Sequence, residues 1–579
     1  MIFSALNVAA SSLKTQQKAI DVVSHNIANV NTPGYSRQKA ELGALSAEQL
    51  GAFDFGRGVE LGSISRSVDQ VVNQALLSNG PQQNYWQELK TGLTSIENVF
   101  GSLQSTGLAA AMDDFFFATQ QMANAPEDAA QKFNMRTKST ALTTQISSMS
   151  NQLQGVQQAA DANIDQHLVS ANNLLTTIGS LNVQIRQHEG TSQGLIGAAN
   201  DLRDQRDQAV RDLSAFMPVQ DVRTATGGLL LQTVSGDLLV QDGEVRQLAR
   251  GAVGANGNFQ SIVIAGTNTA VSGLDKGGKI GGSIALRDDR VGGYIKDLDN
   301  IAVNLSFAIN QANASGVGSS RVSQLQSGLG VANSALSVSD AAQNNPFAGQ
   351  IQSGSFTVHV FDAAGVPLTP VSKATINITA GVSSMASIAA DINANVPGVT
   401  ASVDVSGKLL MNAGANTVGF SDDSSNFLAA YQVNSLFQGS SAASLKVSDA
   451  VQADAGLIST GQINLTTSGI NMGDNRAALL MVDLQNKPAS LDGATAVTLS
   501  GRTSLLSTKY GNDVALASQQ QSFFQAEASS LNQQRQAFSG VNVDEELVSM
   551  IKFQRAYEAS AKVIQTTNQM LDSLMGLIR

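Results

Sequence analysis

Apolar residues recur at alternating spacings of four and three at both ends of this chain. Ile2, Leu6, Ala9, Leu13, Ile20, Val23, Ile27 and Val30 form an a/d seam with one polar interruption, Gln16. Near the other end Val543, Leu547, Met550, Tyr557, Ala561, Ile564, Leu571, Met575 and Ile578 repeat the spacing, interrupted by Gln554 and Asn568. Asp544, Glu545 and Glu546 open this second helix, where acidic groups complement the helix dipole. At about 1.5 Å per residue, each helix would be roughly 45–55 Å long. Each seam needs a partner, and the other seam is the natural one. Pairing them turns everything between into an insertion. The alternative is two unrelated surface helices on a globular core, which usually end in capped stops that neither terminus shows.

Between the ends the period predicts further helices over Val68–Leu77, Trp86–Phe100 and Met112–Met122. A three/four spacing then runs from Met149 through Leu153, Ala160, Ile164, Leu168, Leu175 and Ile178 to Ile185. Asn200–Phe216 is a short helix stopped before Pro218, and Ile284–Asn313 and Asp513–Phe538 are helical. Residues 42–66 read as loop and short strand. From Val219 the period drops to two, and "GGLLLQTVSGDLLVQDGEVRQLA" (227–249) reads as strands joined by glycine-containing turns. Phe356–Thr503 is β-rich with one helix at Ser383–Asn395, and Ser315–Gln352 reads as a low-complexity linker.

The expected fold is multidomain α plus β: paired terminal helices, a central long-helix bundle, and β-rich outer domains inserted between. The expected domains are 1–35 with 541–579 (terminal helices), and 36–216 with 284–320 and 504–540 (central helices). A small β domain spans 217–283 and an outer β-rich domain 345–503. Residues 345–500, lying between helices that return to the centre, are expected to be removable without disturbing the host.

The first seam stops at Asn31-Thr32-Pro33-Gly34-Tyr35. Pro33 lacks an amide donor and disfavours the helical region for Thr32. Pro33-Gly34 also suits the central positions of a type II turn. A rigid corner therefore separates the terminal helix from the next domain.

Composition narrows the function. Charged residues make up only 14% of the chain, against roughly 25% in ordinary domains, with Gln, Asn, Ser, Thr, Ala and Gly in their place. Neutral polar surfaces suit contact between subunits, since little charge must be desolvated, and on composition alone they suit equally a secreted or surface protein of simple composition. A net charge of −11 with no Lys/Arg run argues against nucleic acid. There is no cysteine, so disulfides and thiolate metal sites are excluded. No 18-residue apolar stretch predicts membrane insertion. The N-terminus lacks a basic n-region and continuous apolar h-region, so export would proceed without a cleaved Sec-type signal.

Catalytic patterns are missing. His25, His167, His188 and His359 have no metal-ligand spacing, and no GxSxG or HExxH occurs. "GGKIGG" lacks the P-loop order. Asp201, Arg203, Asp204, Arg206 and Asp207 read as a salt-bridged helix face rather than a paired-carboxylate site. "SDDSSN" (421–426) lacks the Gly and terminal Glu of a calcium loop. No enzyme activity, cofactor or metal is expected.

"SHNIANVNTPGYSRQ" (24–38) resembles the signature of axial flagellar proteins, the rod, hook and hook-associated components, and "GRGVELGSISRSVD" (56–69) resembles the segment after it. "ANDLRDQRDQAVRDLS", "SGDLLVQDG", "GGKIGGSIALRDD" and the C-terminal "FSGVNVDEELVSMIKFQRAYEASAKVIQTTNQMLDSLMGLIR" resemble the narrower hook-associated protein 1 family. Helices persisting over 68–216 are similar to that family and unlike hook and rod proteins, which enter β structure soon after the corner.

The resemblance implies a structural adaptor between hook and filament, in a closed ring of about eleven subunits. Its implied partners are further copies of itself, the hook protein, hook-associated protein 3 and a cytoplasmic export chaperone that holds the C-terminal helix, with type III export to the cell exterior. The assembly residues are then Leu6, Leu13, Ile20, Val23 and Ile27 on one helix and Leu547, Met550, Tyr557, Ile564 and Leu571 on the other. These helices would order on assembly. The alternatives are a hook-type axial protein, or a hydrolase or adhesin carried on an axial scaffold.

Overall fold

The computed structural model describes residues 2–50, 53–101, 107–191, 199–223, 229–253, 259–267, 269–369, 372–488 and 497–577. Long helices lie at both termini and through the central region, and several small antiparallel sheets interrupt them. The chain divides into two compact units. One comprises Met1–Gly92, Ala159–Leu286 and Ala515–Arg579, the other Leu93–Gln158 and Arg287–Val514.

In the first unit the N-terminal helix Ile2–Ala28 pairs with the C-terminal helix Val543–Leu577, and Ser12 Oγ meets Ser560 Oγ across the pair at 2.7 Å. Ile578, the last position of the seam, lies outside the described residues. The stretch 42–66 is more regular than its sequence implies. Strands Gln38–Ala44 and Val59–Arg66 form an antiparallel hairpin, with a register shift at Glu41/Leu42. This hairpin lies across the N-terminal helix, where Thr15 Oγ1 donates to Val59 O at 3.0 Å.

The rest of the unit is built on the second part of a 63-residue helix, Ala129–Thr191. Ile164, Leu168, Ala171, Leu175 and Ile178 are buried at the spacing read from sequence, against Val210 and Leu213 and the inward leucines of a four-stranded sheet. The sheet runs in chain order: Val219–Arg223, Leu229–Thr233, Leu238–Gln241 and Glu244–Val245. Residues 227 and 228 of the stretch predicted as strand lie outside the described residues. Gly243 (φ 99°) lets the last turn touch the helix: a Cβ on Gly179 would lie 3.2 Å from Gly243 O.

The long helix begins at Ala129, well before the expected Met149. Its earlier seam is Met135, Ser139, Leu142 and Ile146, all buried. Ser139 hides the pattern, because its buried hydroxyl donates to Met135 O at 2.8 Å and so sits on an apolar face. The expected continuous helix 284–313 is likewise modified. Gly278–Ile284 and Gly292–Ala314 are α-helical, and the intervening Ala285–Val291 is a π-helix.

The second unit corrects the linker expected at 315–352. Val331, Val338, Phe347 and Ile351 are buried in one core with Phe356, Val358, Ile376, Ile388, Phe420 and Phe427. The core also takes Phe307 from helix Gly292–Ala314, stacked on Phe347 at 5.6 Å between centroids. Strand Gly354–Phe361 is central in a sheet flanked by Lys373–Ile378 and Thr417–Ser421. Helix Met385–Asn395 starts with a capping box at Ser384 and Ser387. Beyond 447 the expected β character gives way to short helices, Asp449–Ala453 and Arg476–Asp483.

The chain enters and leaves this region side by side. Val317 N donates to Gly461 O at 2.9 Å, and Thr460 N returns to Val317 O at 3.1 Å. Neutral amides hold the junction. Asn310 accepts from Leu436 N and Phe437 N and donates to Phe437 O, while Asn313 Oδ1 accepts from Ser459 N.

His359, fully buried on the central strand, meets Ser421 Oγ (2.9 Å) and Ser468 Oγ (3.1 Å) through its two ring nitrogens. Burial, with nearby Lys373, lowers its pKa to about 4. The folded state therefore binds fewer protons than the unfolded chain between about pH 6.5 and 4. Stability rises with pH across that window and is lost on acidification, by up to about 3 kcal/mol at about 1.4 kcal/mol per pKa unit. Urea titrations at pH 7 and 4.5 should show this loss, and His359→Gln should flatten it. An undiminished loss in the variant would assign the acid sensitivity elsewhere.

Candidate assembly site at the corner between the terminal helices

Tyr35 N closes a turn onto Thr32 O at 3.2 Å around Pro33 and Gly34, and Gly34 has φ 83°. Thr32 and Pro33 are exposed, whereas Gly34 is buried, with Gln208 Oε1 only 3.0 Å from where a Cβ would stand. Glycine is required for its left-handed backbone, and a Cβ would in addition press on the Gln208 side chain of helix Asn200–Ser214.

Just before the turn, Asn26 is fully buried. Its Oδ1 accepts from Gln38 N (2.9 Å) and from the Tyr35 hydroxyl (2.8 Å). Its Nδ2 donates to Gln38 O (2.8 Å) and to Glu546 Oε2 (3.0 Å). One side chain therefore ties the end of the first helix, the first strand and the start of the last helix. Glu546, 2% exposed, also receives Arg37 Nε at 2.6 Å, while Arg37 Nη1 reaches the exposed Glu545 at 2.7 Å. Backbone continues the tie, as Arg37 N donates to Ser539 O at 2.9 Å.

The carboxylates of "DLRDQRDQ" are spent on the same joint. Asp204 accepts from Ser36 N (2.8 Å) and from Arg66 (2.6 Å), which also reaches Asp207 (3.1 Å), and Gln38 Nε2 donates to Asp201 at 2.7 Å. Burial pushes the Asp204 carboxyl upward, countered by Arg66 and the Ser36 amide. Burial, reinforced by Asp201, Asp204 and Glu546, pushes the Tyr35 hydroxyl well above its ordinary value, so it stays a neutral donor. These acids are structural ligands for arginine and amide, with no free pair left for acid–base work. Among the described residues no group of histidines and carboxylates could hold a metal ion, and no helix is long and apolar enough to cross a membrane.

The seam residues divide by helix. Val23 is buried and Leu6, Leu13, Ile20 and Ile27 are half-buried. On the last helix Met550, Ile564 and Leu571 are half-buried, but Leu547 and Tyr557 are exposed. Val548, Ile551, Val563, Met570, Leu574 and Met575 extend the open apolar face. Sequence reasoning found the turn and the first seam, but on the last helix Val543, Leu547, Gln554, Tyr557, Ala561 and Asn568 are exposed and the covered line runs through Glu546, Ser560 and Thr567; Asn26, Arg37, Arg66 and Glu546 were missed. The one available signal was Glu546 falling three residues after Val543, on the seam side of the acidic triplet.

Four families match parts of the chain. The flagellar hook-associated protein FlgK helical domain covers residues 93–324, and the flagella basal body rod protein family covers 6–35, ending at the corner. The C-terminal family of flagellar basal body rod FlgEFG proteins covers 532–577, and the flagellin hook IN motif covers 367–415 within the outer region. Flagellar hook-associated protein 1 of Escherichia coli is 27% identical over 99% of this chain and 100% of its own length. That of Bacillus subtilis is 28% identical over 54% of this chain and 68% of its own. A solved structure of the flagellar hook junction protein FlgK from Burkholderia pseudomallei aligns with 81% of this chain and 100% of its own, at 17% identity and a TM-score of 0.49.

Proposed function

We infer that this chain, which belongs to the flagellar hook-associated protein 1 family, is a structural adaptor joining the hook of the bacterial flagellum to the filament. The observation that carries the assembly part of this reading is the open apolar face of the C-terminal helix. Ala9, Ala19, Val22 and Val23 of the first helix are buried beneath the last helix and the hairpin together, yet Val548 and Met575 of the last helix each remain 67% exposed. A two-helix pair has too little core to offset its ordering entropy. Neighbouring copies would bury this face at about 25 cal/mol per Å², so the ends gain their full stability on insertion. The corner separates these assembly-dependent helices from regions with cores of their own.

The finer reading is a closed ring of about eleven copies, in contact with the hook protein and hook-associated protein 3. A chaperone would hold the C-terminal helix before type III export without a cleaved signal, and no catalytic step is assigned. The domains expected from sequence (1–35 with 541–579, 36–216 with 284–320 and 504–540, 217–283, and 345–503) remain a proposal beside the two compact units; the 217–283 sheet packs its leucines on the long central helix.

In a deletion strain, hooks should persist without filaments while flagellin is lost to the medium, and the intact chain should restore filaments. Leu13→Asp or Ile564→Asp should leave the monomer's thermal transition almost unchanged and abolish that restoration, since a carboxylate is costly only where the site becomes buried. Global unfolding of either free variant would instead place the seams in the monomer's own core.

A further inference from the structure

Beyond the buried joint, a cleft of about 400 Å³ opens between Asn29–Tyr35 and the end of helix Leu499–Ser539, with Arg535, Ser539 and Val541 on its far side. Arg535 has no hydrogen bond, ion pair or ring contact among the described residues, and its Nε is buried without a partner. Arg211, whose Nη2 would lie 3.5 Å from a Cβ on Gly34, stands beside the same turn. Burial, and then the like charge of Arg535, lowers its pKa. Arg211 is offset by Asp207, Asp204 and Asp212, so the unpartnered cation of the cleft is Arg535, in a chain whose net charge is −11. An unsatisfied guanidinium N–H is a cost that a carboxylate would relieve with two parallel hydrogen bonds.

We propose that this cleft receives Asp544 from a second copy of the chain, forming an ion pair that sets the register between neighbours in the assembled ring. The proposal rests on the junction reading and deepens it. The choice of occupant has three supports. The open apolar face of the C-terminal helix starts at Val543 and Leu547, directly after Val541 of the cleft, so whatever covers that face also reaches the cleft. A closed ring joins one patch of each copy to a different patch of the next, the arrangement in which a guanidinium and a carboxylate of the same chain can pair between neighbours. Of the carboxylates at the corner, Asp201, Asp204, Asp207, Glu545 and Glu546 are already engaged by Gln38, Arg66 and Arg37. Asp544 is exposed and its carboxylate has no partner among the described residues, while its backbone N–H donates to Asn542 Oδ1.

The test uses the full chain in a deletion strain, with attached filaments counted and each purified variant melted. Arg535→Glu and Asp544→Arg should each reduce filaments about tenfold or more, by setting like charges together. Combined in one chain, the two substitutions should recover most of the loss, because every contact between neighbours then pairs opposite charges again. That recovery, with the melts of the single variants, separates a lost contact from a lost fold. Parental filament numbers with Arg535→Glu alone, or failed recovery in a doubly substituted chain that melts like the parent, would overturn the proposal. A defect in Arg535→Glu with none in Asp544→Arg would overturn the choice of a second copy and assign the cleft to another axial protein. If the unmodified chain failed to restore filaments, the junction reading itself would fall, which this control separates from the other outcomes.

Discussion

Excising residues 345–500 will unfold the second unit rather than trim it. The segment holds Phe347, Phe356, Val358, Phe420, Phe427 and Tyr431, and these share a core with Phe307, Val331 and Val338 outside it. The Tyr431 hydroxyl donates to Val338 O at 2.8 Å, and Asn475 donates to Ala123 O at 2.8 Å, so polar ties are cut as well. Emptying the contacts of one large core side chain costs about 2–5 kcal/mol. Losing several exceeds the total stability of about 5–15 kcal/mol available to a domain. Limited proteolysis should find no resistant fragment over 287–344, and thermal melts should lose the cooperative transition of this unit. Joining residues 317 and 461 by a short Gly/Ser linker connects two segments that already share backbone hydrogen bonds, and should keep the surrounding helices folded. A protease-resistant, cooperatively melting 345–500 deletion would contradict the shared core.

Glu546→Ala is expected to free the start of the C-terminal helix. The change leaves the Arg37 guanidinium and Asn26 Nδ2 facing an empty buried site, and breaking a buried pair from one side costs about 3–5 kcal/mol. Glu545, which makes the other bond to Arg37, is 58% exposed in its side chain, so Glu545→Ala should cost no more than about 1 kcal/mol. Amide exchange over residues 543–557 reads the difference directly, with protection lost in the first variant and kept in the second. Equal effects would mean that the acidic triplet acts only through the helix dipole.

That contrast marks how much was legible in the sequence. Helices whose buried face is purely apolar, such as Ile164–Ile178, were predicted in place because spacing alone reports burial. Where a buried position is polar and satisfied by its own backbone, as at Ser139, the spacing is masked and the helix looks too short. The linker expected at 315–352 failed for a related reason. Its Ser, Asn and Gly resemble loop composition, but Gln343 and Asn345 are buried and donate to backbone carbonyls of Asn333, Leu336 and Ala430. At the corner, Pro33-Gly34 was readable because turn chemistry is local. The Asn26–Glu546 bond joins residues far apart in the chain, and no local pattern encodes it.

The side-by-side entry and exit at Val317 and Gly461 determines how the outer region responds to mechanical load. A pull arriving through helix Gly292–Ala314 and leaving through Arg476–Asp483 crosses from one segment to the other at this bridge, reinforced by the Asn313–Ser459 bond. While the bridge holds, strands Gly354–Phe361 and Thr417–Ser421 lie off the line of force and carry no tension. Beyond it lie roughly 140 residues, each able to span no more than about 3.6 Å when extended. Release at the bridge alone frees none of this length, because the apolar core shared with Phe307 must also open before the outer region can extend.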